Sequence, residues 1–328
     1  MQALVLTSFA APMSIAHLPV PQPGPGQVLV RIAASGVNPL DTKIAAGAAP
    51  HARPRLPAIL GIDVAGTVEA VGDGVPTFHV GATVYGMAGG IAGIQGSLAE
   101  YGVFDAALLA SVPPALGMRE AAALPLVFIT AWEGLVDRAR VKAGDSVLVH
   151  GGAGGVGHMA VQLAIALGAT VYATGSAASR DAIEALGARF IDYRTSTVDD
   201  YVAKHTGGAG FDIVYDTVGG ATLDASFQAA RLYGGHVVSC LGWGTFALSP
   251  LTARAATYSG VFTLLPLLSG EHHARHGAIL REANKLIEAG KLQVRLDPRR
   301  FTLRTAHDAH AAQTDGSARG KLVVEVED

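Results

Sequence analysis

The chain has 328 residues, of which 50% are hydrophobic and 16% are charged, a composition that argues against wholesale disorder and allows two domains. The net charge of −3 comes without a basic stripe, so we expect no nucleic-acid partner. No apolar run is long enough for a membrane span and the amino terminus lacks a secretory-signal pattern, so we expect a cytoplasmic protein that does not associate with membranes. The single cysteine, Cys240, excludes an internal disulfide and a four-cysteine zinc site.

The first 120 residues are predicted to be rich in β-strands, which Pro and Gly residues separate. The predicted strands are Gln2–Leu6, Gln27–Ala34, Val64–Val71, Thr83–Tyr85 and Leu98–Val103. Residues 121–137 then have a helical composition that Pro125 interrupts. This change of character predicts a domain boundary, which we place after residue 120.

A regular alternation of strands and helices follows. The predicted strands are Ser146–His150, Thr170–Thr174, Phe190–Ile191, Phe211–Asp216 and His236–Cys240, and the predicted helices are Val156–Leu167, Ser179–Leu186 and residues 223–231. Such alternation indicates a parallel sheet with helices on both faces. The remaining residues are mixed in pattern and end in a predicted strand, Lys321–Val326. We therefore predict an α/β fold in which a Rossmann doubly wound domain, residues 121–265, is inserted in a β-rich domain formed by residues 1–120 and 266–328.

The segment His150–His158 carries a G-x-G-x-x-G pattern at Gly152, Gly154 and Gly157. It follows a predicted strand and opens a predicted helix, which is the context of a dinucleotide-binding loop. In such a loop the first glycine permits a tight turn, the second lets the backbone approach a pyrophosphate, and the third lets helix and strand pack closely. The alternative is a purely structural turn, but context and spacing together favour a cofactor loop that binds phosphate at the helix N-terminus.

The end of the second strand of this domain favours NADP(H) over NAD(H). An NAD-binding domain usually carries an acid there for the ribose 2′-hydroxyl, whereas Val171–Ser176 contains none. Ser176 and Arg180 are suited to bind a 2′-phosphate, and Tyr193 can add a hydroxyl. The alternative is that Arg180 is an ordinary solvated helix residue, and Asp181 would repel a phosphate. We predict NADPH as the cofactor.

Twelve histidines raise the question of a metal site. His272 and His276 would share one face of a helix, next to His273. No further ligand completes a zinc set nearby, so we interpret this segment as a solvated polar helix and predict no metal. His150 and His158 flank the glycine loop and are predicted to pack rather than to bind metal.

Several short segments, in this order and at this spacing, make the whole chain resemble the zinc-independent quinone oxidoreductases. These proteins are the zeta-crystallin-like branch of the medium-chain dehydrogenase/reductase superfamily. The segments are Gly36–Lys43, Leu60–Val68, Thr130–Glu133, the glycine loop, Asp216–Gly220 and Arg319–Leu322. The resemblance implies that the β-rich domain is a GroES-like catalytic domain. Zinc-dependent members use a cysteine and a histidine where this chain has Asn38 and Ile62, so the resemblance also implies that catalytic zinc is absent.

The resemblance assigns roles to individual residues. The implied catalytic residues are Asn38, Asp41 and Thr130, and we add Lys43 as a hypothesis because its cation could polarise a carbonyl. The implied cofactor-binding residues are Gly152, Ala153, Gly154, Gly155, Val156, Gly157, Ser176, Arg180, Tyr193, Leu241, Gly242, Trp243, Phe262 and Thr263. Two departures from the family pattern are Lys43, where many members have tyrosine, and the bulky segment Cys240–Phe246.

These observations predict an NADPH-dependent, zinc-independent oxidoreductase that transfers a hydride to a quinone. The candidate hydrogen-bond donors to the acceptor oxygen are Asn38, Lys43, the Thr130 hydroxyl and the Trp243 indole. We expect an apolar pocket from the residues between the domains: Trp243, Phe246, Tyr258, Phe262, Leu264 and Leu265. The alternatives are an NADPH-dependent reductase of α,β-unsaturated carbonyls and a non-catalytic NADPH-binding sensor. The resemblance further implies a homodimer acting on a small-molecule quinone or enone.

Overall fold

The computed structural model describes residues 1–326, and contacts divide the chain into two compact units. The central unit is Val127–Thr263. The discontinuous unit consists of Met1–Leu126 and the segment that begins at Leu264. No helix within the described residues is long and apolar enough to cross a bilayer.

The discontinuous unit begins with short strands and two helices. They are β1 (Gln2–Leu6), β2 (Ser14–His17), β3 (Gln27–Gly36), α1 (Pro39–Ala45), β4 (Ala58–Ile59), β5 (Asp63–Val71), β6 (Thr83–Met87), β7 (Tyr101–Asp105), β8 (Leu109–Ser111) and α2 (Met118–Ala123). The predicted strand Leu98–Val103 is displaced, because the pairing partner of β3 is Tyr101–Asp105. The predicted helical stretch is broken as expected: α2 ends at Ala123, and a new helix starts at Pro125, since proline suits only the first turn of a helix.

The central unit alternates strands and helices. Its elements are α3 (Pro125–Trp132, continued by a π-helical turn Glu133–Arg138), β9 (Ser146–His150), α4 (Gly155–Ala166), β10 (Thr170–Gly175), α5 (Arg180–Glu184), β11 (Arg189–Asp192), α6 (Val198–Thr206), β12 (Ile213–Asp216), α7 (Ala221–Ala229), β13 (His236–Ser239), α8 (Ser249–Arg254) and β14 (Thr257–Gly260). The discontinuous unit resumes with α9 (Leu265–Ser269), α10 (His273–Glu288), β15 (Phe301–Thr302), α11 (Ala306–Thr314) and β16 (Val323–Glu325).

The six strands of the central unit form one parallel sheet in the order β11-β10-β9-β12-β13-β14. Renumbered from β9, this order is 3-2-1-4-5-6, which defines the Rossmann sheet. The strand interiors are apolar and fully buried, as Val147, Leu148 and Val149 illustrate. Burial on both faces is what a parallel sheet covered by helices requires. The predicted Rossmann domain is therefore confirmed.

The discontinuous unit is built mainly on antiparallel sheets. One has seven strands, in the order β15-β16-β3-β5-β6-β8 with β7 also paired to β3, and a second has the order β2-β1-β4. Strand β3 is the centre of the larger sheet because it pairs with β5, β7 and β16. Helix α10 packs over β6 and β8, where the buried Tyr85 hydroxyl lies 2.7 Å from Asn284 Oδ1. This unit matches the predicted β-rich, GroES-like domain.

Candidate functional site

The glycine loop joins β9 to α4 in the central unit. The left-handed turn is at Gly151, with φ of 74°, and not at Gly152 as the motif predicts. Gly152 is required for a different reason: a Cβ there would lie 2.6 Å from the Ala173 Cβ. At Gly157 a Cβ would lie 2.0 Å from the Gly151 carbonyl oxygen, so this glycine allows α4 to pack on the turn, as predicted.

The first turn of α4 is open to a ligand. Gly154 and Gly155 are exposed, and Gly154 caps the helix without a side-chain hydrogen bond. The first helical bond is donated by His158 to the Gly154 carbonyl, so the amides of Gly155, Val156 and Gly157 precede it. A Cβ on Gly154 would meet only the Gly151 carbonyl oxygen, at 3.2 Å. Helix-terminal amides beside an exposed glycine backbone, with Ala153 half-buried next to them, fit a dinucleotide pyrophosphate.

Thr174, at the end of β10, holds the glycine loop in place. Its hydroxyl accepts a hydrogen bond from the Gly151 amide at 3.2 Å, and its carbonyl accepts one from the Gly152 amide at 3.0 Å. The same hydroxyl lies 3.1 Å from His150 Nδ1. Burial lowers the pKa of His150 to about 4, so the ring is neutral at pH 7 and packs as predicted. No sequence signal singled out Thr174, because a threonine in a strand is an ordinary β-branched residue.

Three predicted phosphate ligands lie near the ends of β10 and β11. Ser176 follows β10 directly, and the Tyr193 amide donates to the Gly175 carbonyl at 3.3 Å. The Arg180 guanidinium lies 4.3 Å from the centre of the Phe190 ring and 3.4 Å from Glu184. Ring stacking presents the guanidinium on the exposed surface. Arg194, whose guanidinium lies 5.8 Å from the Tyr193 ring, is a neighbouring cation that the sequence analysis missed.

The loop Leu241–Trp243 is anchored below its exposed tip. The buried Asp216 carboxylate accepts the Ser239 hydroxyl at 2.7 Å, and the Ser239 hydroxyl accepts the Leu241 amide at 3.0 Å. Gly242 is needed because a Cβ there would lie 2.2 Å from the Tyr258 hydroxyl. The loop predicted to pass the nicotinamide is therefore fixed by the carboxyl end of β12.

The predicted apolar pocket residues separate into different environments. Within the central unit, Trp243 is 56% exposed and its ring meets Phe262 edge-on at 5.7 Å. Phe246 and Tyr258 instead pack edge-on against the buried Phe227, at 6.4 and 5.9 Å, while Tyr258 stays 37% exposed. Leu264 and Leu265 are part of the discontinuous unit. The structure brings together only Trp243 and Phe262 of this set.

Thr130, Thr263 and Glu133 form a hydrogen-bonded chain in the central unit. The Thr263 hydroxyl donates to Glu133 Oε2 at 2.9 Å and lies 3.1 Å from the Thr130 hydroxyl. A hydroxyl has one proton, so Thr130 is the donor in the second bond. With its proton given to Thr263, Thr130 could act toward a ligand only as an acceptor, which suits an N–H group better than the acceptor oxygen expected from the sequence. Glu133, which the sequence analysis missed, sets the direction of these two hydrogen bonds.

A buried polar cluster lies in the discontinuous unit around Asn38. The backbone N–H of Asn38 donates to Asp41 Oδ2 at 2.8 Å, and this hydrogen bond caps α1. The side-chain Nδ2 of Asn38 donates to Asp63 Oδ2 at 2.9 Å. The Leu126 amide donates to Asp63 Oδ1 at 2.9 Å. Burial raises the pKa of Asp41 to about 7 and that of Asp63 to about 6. Lys321, absent from the predicted site, completes the cluster.

Lys43 lies on the exposed side of α1, apart from this buried cluster. Burial is the main cause that lowers the pKa of His51, and the positive charge of Lys43 lowers it further. The catalytic role of Lys43 stays a prediction.

The clustered histidines have partners within the protein. His273 Nδ1 lies 2.7 Å from Asp105 Oδ2, and its Nε2 lies 3.1 Å from the Pro266 carbonyl. His276 is fully buried. Among residues 1–326 no group of three or more His, Cys, Asp or Glu side chains is arranged to hold a metal ion.

Two family models match the chain. Residues 24–114 match the alcohol dehydrogenase GroES-like domain, and residues 186–324 match the zinc-binding dehydrogenase model. A curated relative, the spectinabilin polyketide synthase system protein NorB of Streptomyces orinoci, is 36% identical over 92% of the chain. The match spans 13% of that relative's length.

Solved structures match over the full chain. An alcohol dehydrogenase superfamily protein from Novosphingobium aromaticivorans is 54% identical, with a TM-score of 0.98 and complete coverage of both chains. The quinone oxidoreductase of Coxiella burnetii is 29% identical, with a TM-score of 0.84 over 100% of this chain and 99% of that one. The CurK enoyl reductase is 25% identical, with a TM-score of 0.86 over 99% of both chains.

Proposed function

Because this chain belongs to the zinc-independent branch of the medium-chain dehydrogenase/reductase superfamily and is an NAD(P)-dependent oxidoreductase, we propose that it reduces quinones with NADPH. The observation that carries the proposal is the open first turn of α4 on a 3-2-1-4-5-6 sheet, with Ser176 and Arg180 at the end of the neighbouring strand. The similarity to the Coxiella burnetii quinone oxidoreductase supports the choice of acceptor.

A nicotinamide cofactor, when bound, supplies the hydride. The first-turn amides of α4 bind its pyrophosphate, and Ser176, Arg180 and Tyr193 bind its 2′-phosphate. The Thr130 oxygen accepts a hydrogen bond from the carboxamide, because its own proton is given to Thr263. The resemblance also assigns the backbone of Phe262 and Thr263 and the loop Leu241–Trp243 to the nicotinamide, and we retain these roles in the proposal.

The acceptor has to be electrophilic before it binds. This chain carries an amide at Asn38 and an aliphatic side chain at Ile62, where zinc-dependent members carry ligands. A conjugated quinone needs no Lewis acid, and water can deliver the proton to its reduced oxygen. The exposed Trp243 ring, packed on the half-buried Phe262, offers an aromatic surface to a planar acceptor.

A reductase of α,β-unsaturated carbonyls is the second candidate. The observation that favours it is the similarity to the CurK enoyl reductase, together with the match to a polyketide synthase protein. The residues assigned to NADPH would serve both reactions. The two reactions differ in whether a carbon or an oxygen of the acceptor receives the hydride. A non-catalytic NADPH-binding sensor is the third candidate.

The oxidation of NADPH by purified, chelator-treated protein tests these proposals. The acceptors are a benzoquinone, a phenanthrenequinone, an aliphatic enone and a simple aldehyde. We expect chelator-resistant oxidation with the quinones. Oxidation with the enone alone would replace the proposal with the second candidate, and NADPH binding without oxidation would favour the sensor. Activity that depends on zinc, or that is best with the aldehyde, would contradict a zinc-independent reductase.

The cofactor preference is tested by Arg180→Gln. We expect the KM for NADPH to rise about 10-fold to 100-fold, since hydrogen bonds to charged groups contribute about 1.5–3 kcal/mol. The KM for NADH should stay unchanged, because NADH lacks the 2′-phosphate. The matched control is Arg189→Gln, which removes a guanidinium stacked on a tyrosine at the opposite end of β11. Equal losses with NADPH and NADH would contradict the assignment of Arg180.

The polarity of the Thr130 hydroxyl is tested by Glu133→Gln. A glutamine amide can donate to Thr263 and reverse the hydrogen-bonded chain, so the Thr130 proton would point at the ligand. We expect the Kd of NADPH to rise about 3-fold to 10-fold, the effect of one ordinary hydrogen bond. Titration by fluorescence measures it, with Asp199→Asn on the exposed face of α6 as the control. An unchanged Kd would show that the direction of the hydrogen bonds among Glu133, Thr263 and Thr130 does not affect NADPH binding.

We also propose that the protein is a homodimer, as the resemblance implies. Strand β14 is an edge of the central sheet and pairs only with β13 among the described residues. An edge of this kind can be extended by a second copy. Sedimentation analysis of the purified protein measures the assembly directly.

A further inference from the structure

The ammonium group of Lys321 is buried next to the Asn38 side chain in the discontinuous unit. We propose that Lys321 is a positioning residue that holds the Asn38 carboxamide in one orientation. Its catalytic meaning rests on the proposed function, together with the candidate role of Asn38 as a hydrogen-bond donor to the acceptor oxygen. The orientation itself is a property of the folded chain and is testable without any turnover.

The two ends of the Asn38 amide have different partners. Lys321 Nζ donates to Asn38 Oδ1 at 2.5 Å and to the Val37 carbonyl at 2.8 Å. On the other side, Asn38 Nδ2 donates to Asp63 Oδ2 at 2.9 Å. The oxygen of the amide therefore contacts a cation, and its nitrogen contacts a carboxylate. Rotation of the amide by half a turn would place the NH₂ group against an ammonium and the oxygen against a carboxylate.

The backbone around Lys321 explains why a lysine can reach this position. The Lys321 amide donates to the Arg295 carbonyl at 2.8 Å, and the Asp297 amide donates to the Lys321 carbonyl at 3.0 Å. A Cβ on Gly320 would lie 2.5 Å from the Leu296 carbonyl carbon. Gly320 thus permits the close approach of two backbone segments, and this contact fixes where the Lys321 side chain starts.

The electrostatics of the cluster agree with this assignment. Asn38, Asp41, Asp63 and Lys321 are all buried, so their charges interact in a medium that screens them poorly. Burial lowers the pKa of Lys321, while Asp63 and Asp41 oppose that change. In return, the lysine lowers the pKa of both carboxyls against the larger effect of burial. Asp63 and Asp41 are the titratable groups whose charges act on Lys321.

A purely structural lysine would produce a different set of results. It would support the unit in general, and its loss would lower stability without any specific effect on Asn38. A positioning lysine acts through Asn38, so its removal has no further effect once the Asn38 amide is gone. Double-mutant cycles separate these two cases because they measure coupling directly.

The first experiment follows the Asn38 side-chain NH₂ signals by ¹⁵N NMR in the wild type and in Lys321→Met. We expect two resolved, exchange-protected signals in the wild type. They should broaden or lose at least 10-fold of their protection in the variant. Lys321→Leu also removes the donor and serves if the methionine variant does not fold. Lys321→Gln keeps a neutral donor and should retain more protection than either apolar variant. Lys291→Met, at an exposed lysine, is the control and should match the wild type. Unchanged Asn38 signals in folded Lys321→Met or Lys321→Leu would overturn the proposal.

The second experiment measures kcat/KM for the variants Lys321→Met and Asn38→Ala and for the double variant. We expect Lys321→Met to lower kcat/KM at least 10-fold in the wild-type background and less than 3-fold in the Asn38→Ala background. The carboxyl pKa seen in the pH profile of kcat/KM should also rise in Lys321→Met, because the cation that lowers the carboxyl pKa values is gone. The proposal would be overturned if the losses in kcat/KM of the two single variants multiply in the double variant and the pH profile of Lys321→Met does not move.

The two experiments also separate this inference from the proposed function. If the wild type reduces no acceptor, the proposed function fails and the NMR signals alone decide whether Lys321 orients Asn38. If the wild type is active but the signals and the cycle show no coupling, the proposed function stands and the inference fails.

Discussion

Replacement of Gly157 by alanine is expected to abolish NADPH binding and to destabilise the central unit. The new Cβ would lie 2.0 Å from the Gly151 carbonyl oxygen and 3.0 Å from the Gly152 Cα, so α4 would have to move away from the turn. Overpacking against backbone costs about 1–3 kcal/mol, and more where the backbone cannot yield. Thermal unfolding and NADPH titration of the variant measure both effects.

Gly154→Ala is the matched comparison, three residues earlier in the same loop. Its Cβ would meet only one atom of the chain within 4 Å, the Gly151 carbonyl oxygen at 3.2 Å, and its φ of −73° is accessible to alanine. We therefore expect near wild-type stability but at least a 10-fold weaker affinity for NADPH, since the methyl group occupies space that a pyrophosphate needs. Equal stability losses in the two variants would contradict this division between packing and ligand approach. Unchanged affinity in Gly154→Ala would contradict the placement of the phosphate.

Replacement of Asp41 by asparagine is expected to remove the largest single contribution to the pH dependence of stability between about pH 4 and pH 7, and the raised pKa of Asp63 accounts for part of the remainder. Burial raises the pKa of Asp41 to about 7, far above the value of an unfolded chain. A carboxyl with a raised pKa binds its proton more tightly in the folded state. Its stabilising effect is complete below about pH 4 and is lost as the pH rises through 7. Asparagine mimics the neutral form at every pH.

The magnitude follows from the size of the shift. A change of roughly three pKa units corresponds to about 4 kcal/mol, so Asp41→Asn should exceed the wild type in unfolding free energy by up to this amount at pH 8 and match it near pH 4. Denaturant unfolding at a series of pH values measures the difference. Asp73→Asn, at an exposed turn of the same unit, should give a curve parallel to that of the wild type. A parallel curve for Asp41→Asn as well would show that the buried carboxyl keeps an ordinary pKa.

Five of the six strands of the central sheet, β9 to β13, were predictable because each is a short apolar run between turns. Elements without that signal were missed. Strand β14 reads Thr-Tyr-Ser-Gly, and helix α6 buries only Tyr201 and Val202. The start of α6 did carry a usable signal, a capping box between Thr197 and Asp200, which sequence analysis could have found.

The candidate site was predictable only where its parts are contiguous in sequence. The glycine loop is one segment, so its spacing indicated both its conformation and its ligand, although the positive φ proved to be at Gly151. The cluster around Asn38 is different, because Lys321 comes from 283 residues away. Its partners are set by the antiparallel pairing of β16 with β3, and nothing in the local sequence near Lys321 indicates a buried ammonium.

The environment of Cys240 has a consequence for the durability of the protein. This residue is the only cysteine of the chain, and burial raises the pKa of its thiol to about 12. The thiolate is the form that attacks electrophilic carbon, so the thiol is inert at neutral pH. Quinones and enones are alkylating agents as well as hydride acceptors. If the proposed function holds, Cys240 would not be arylated by such acceptors, and the half-life of the protein in their presence should be independent of any protecting thiol in the solution.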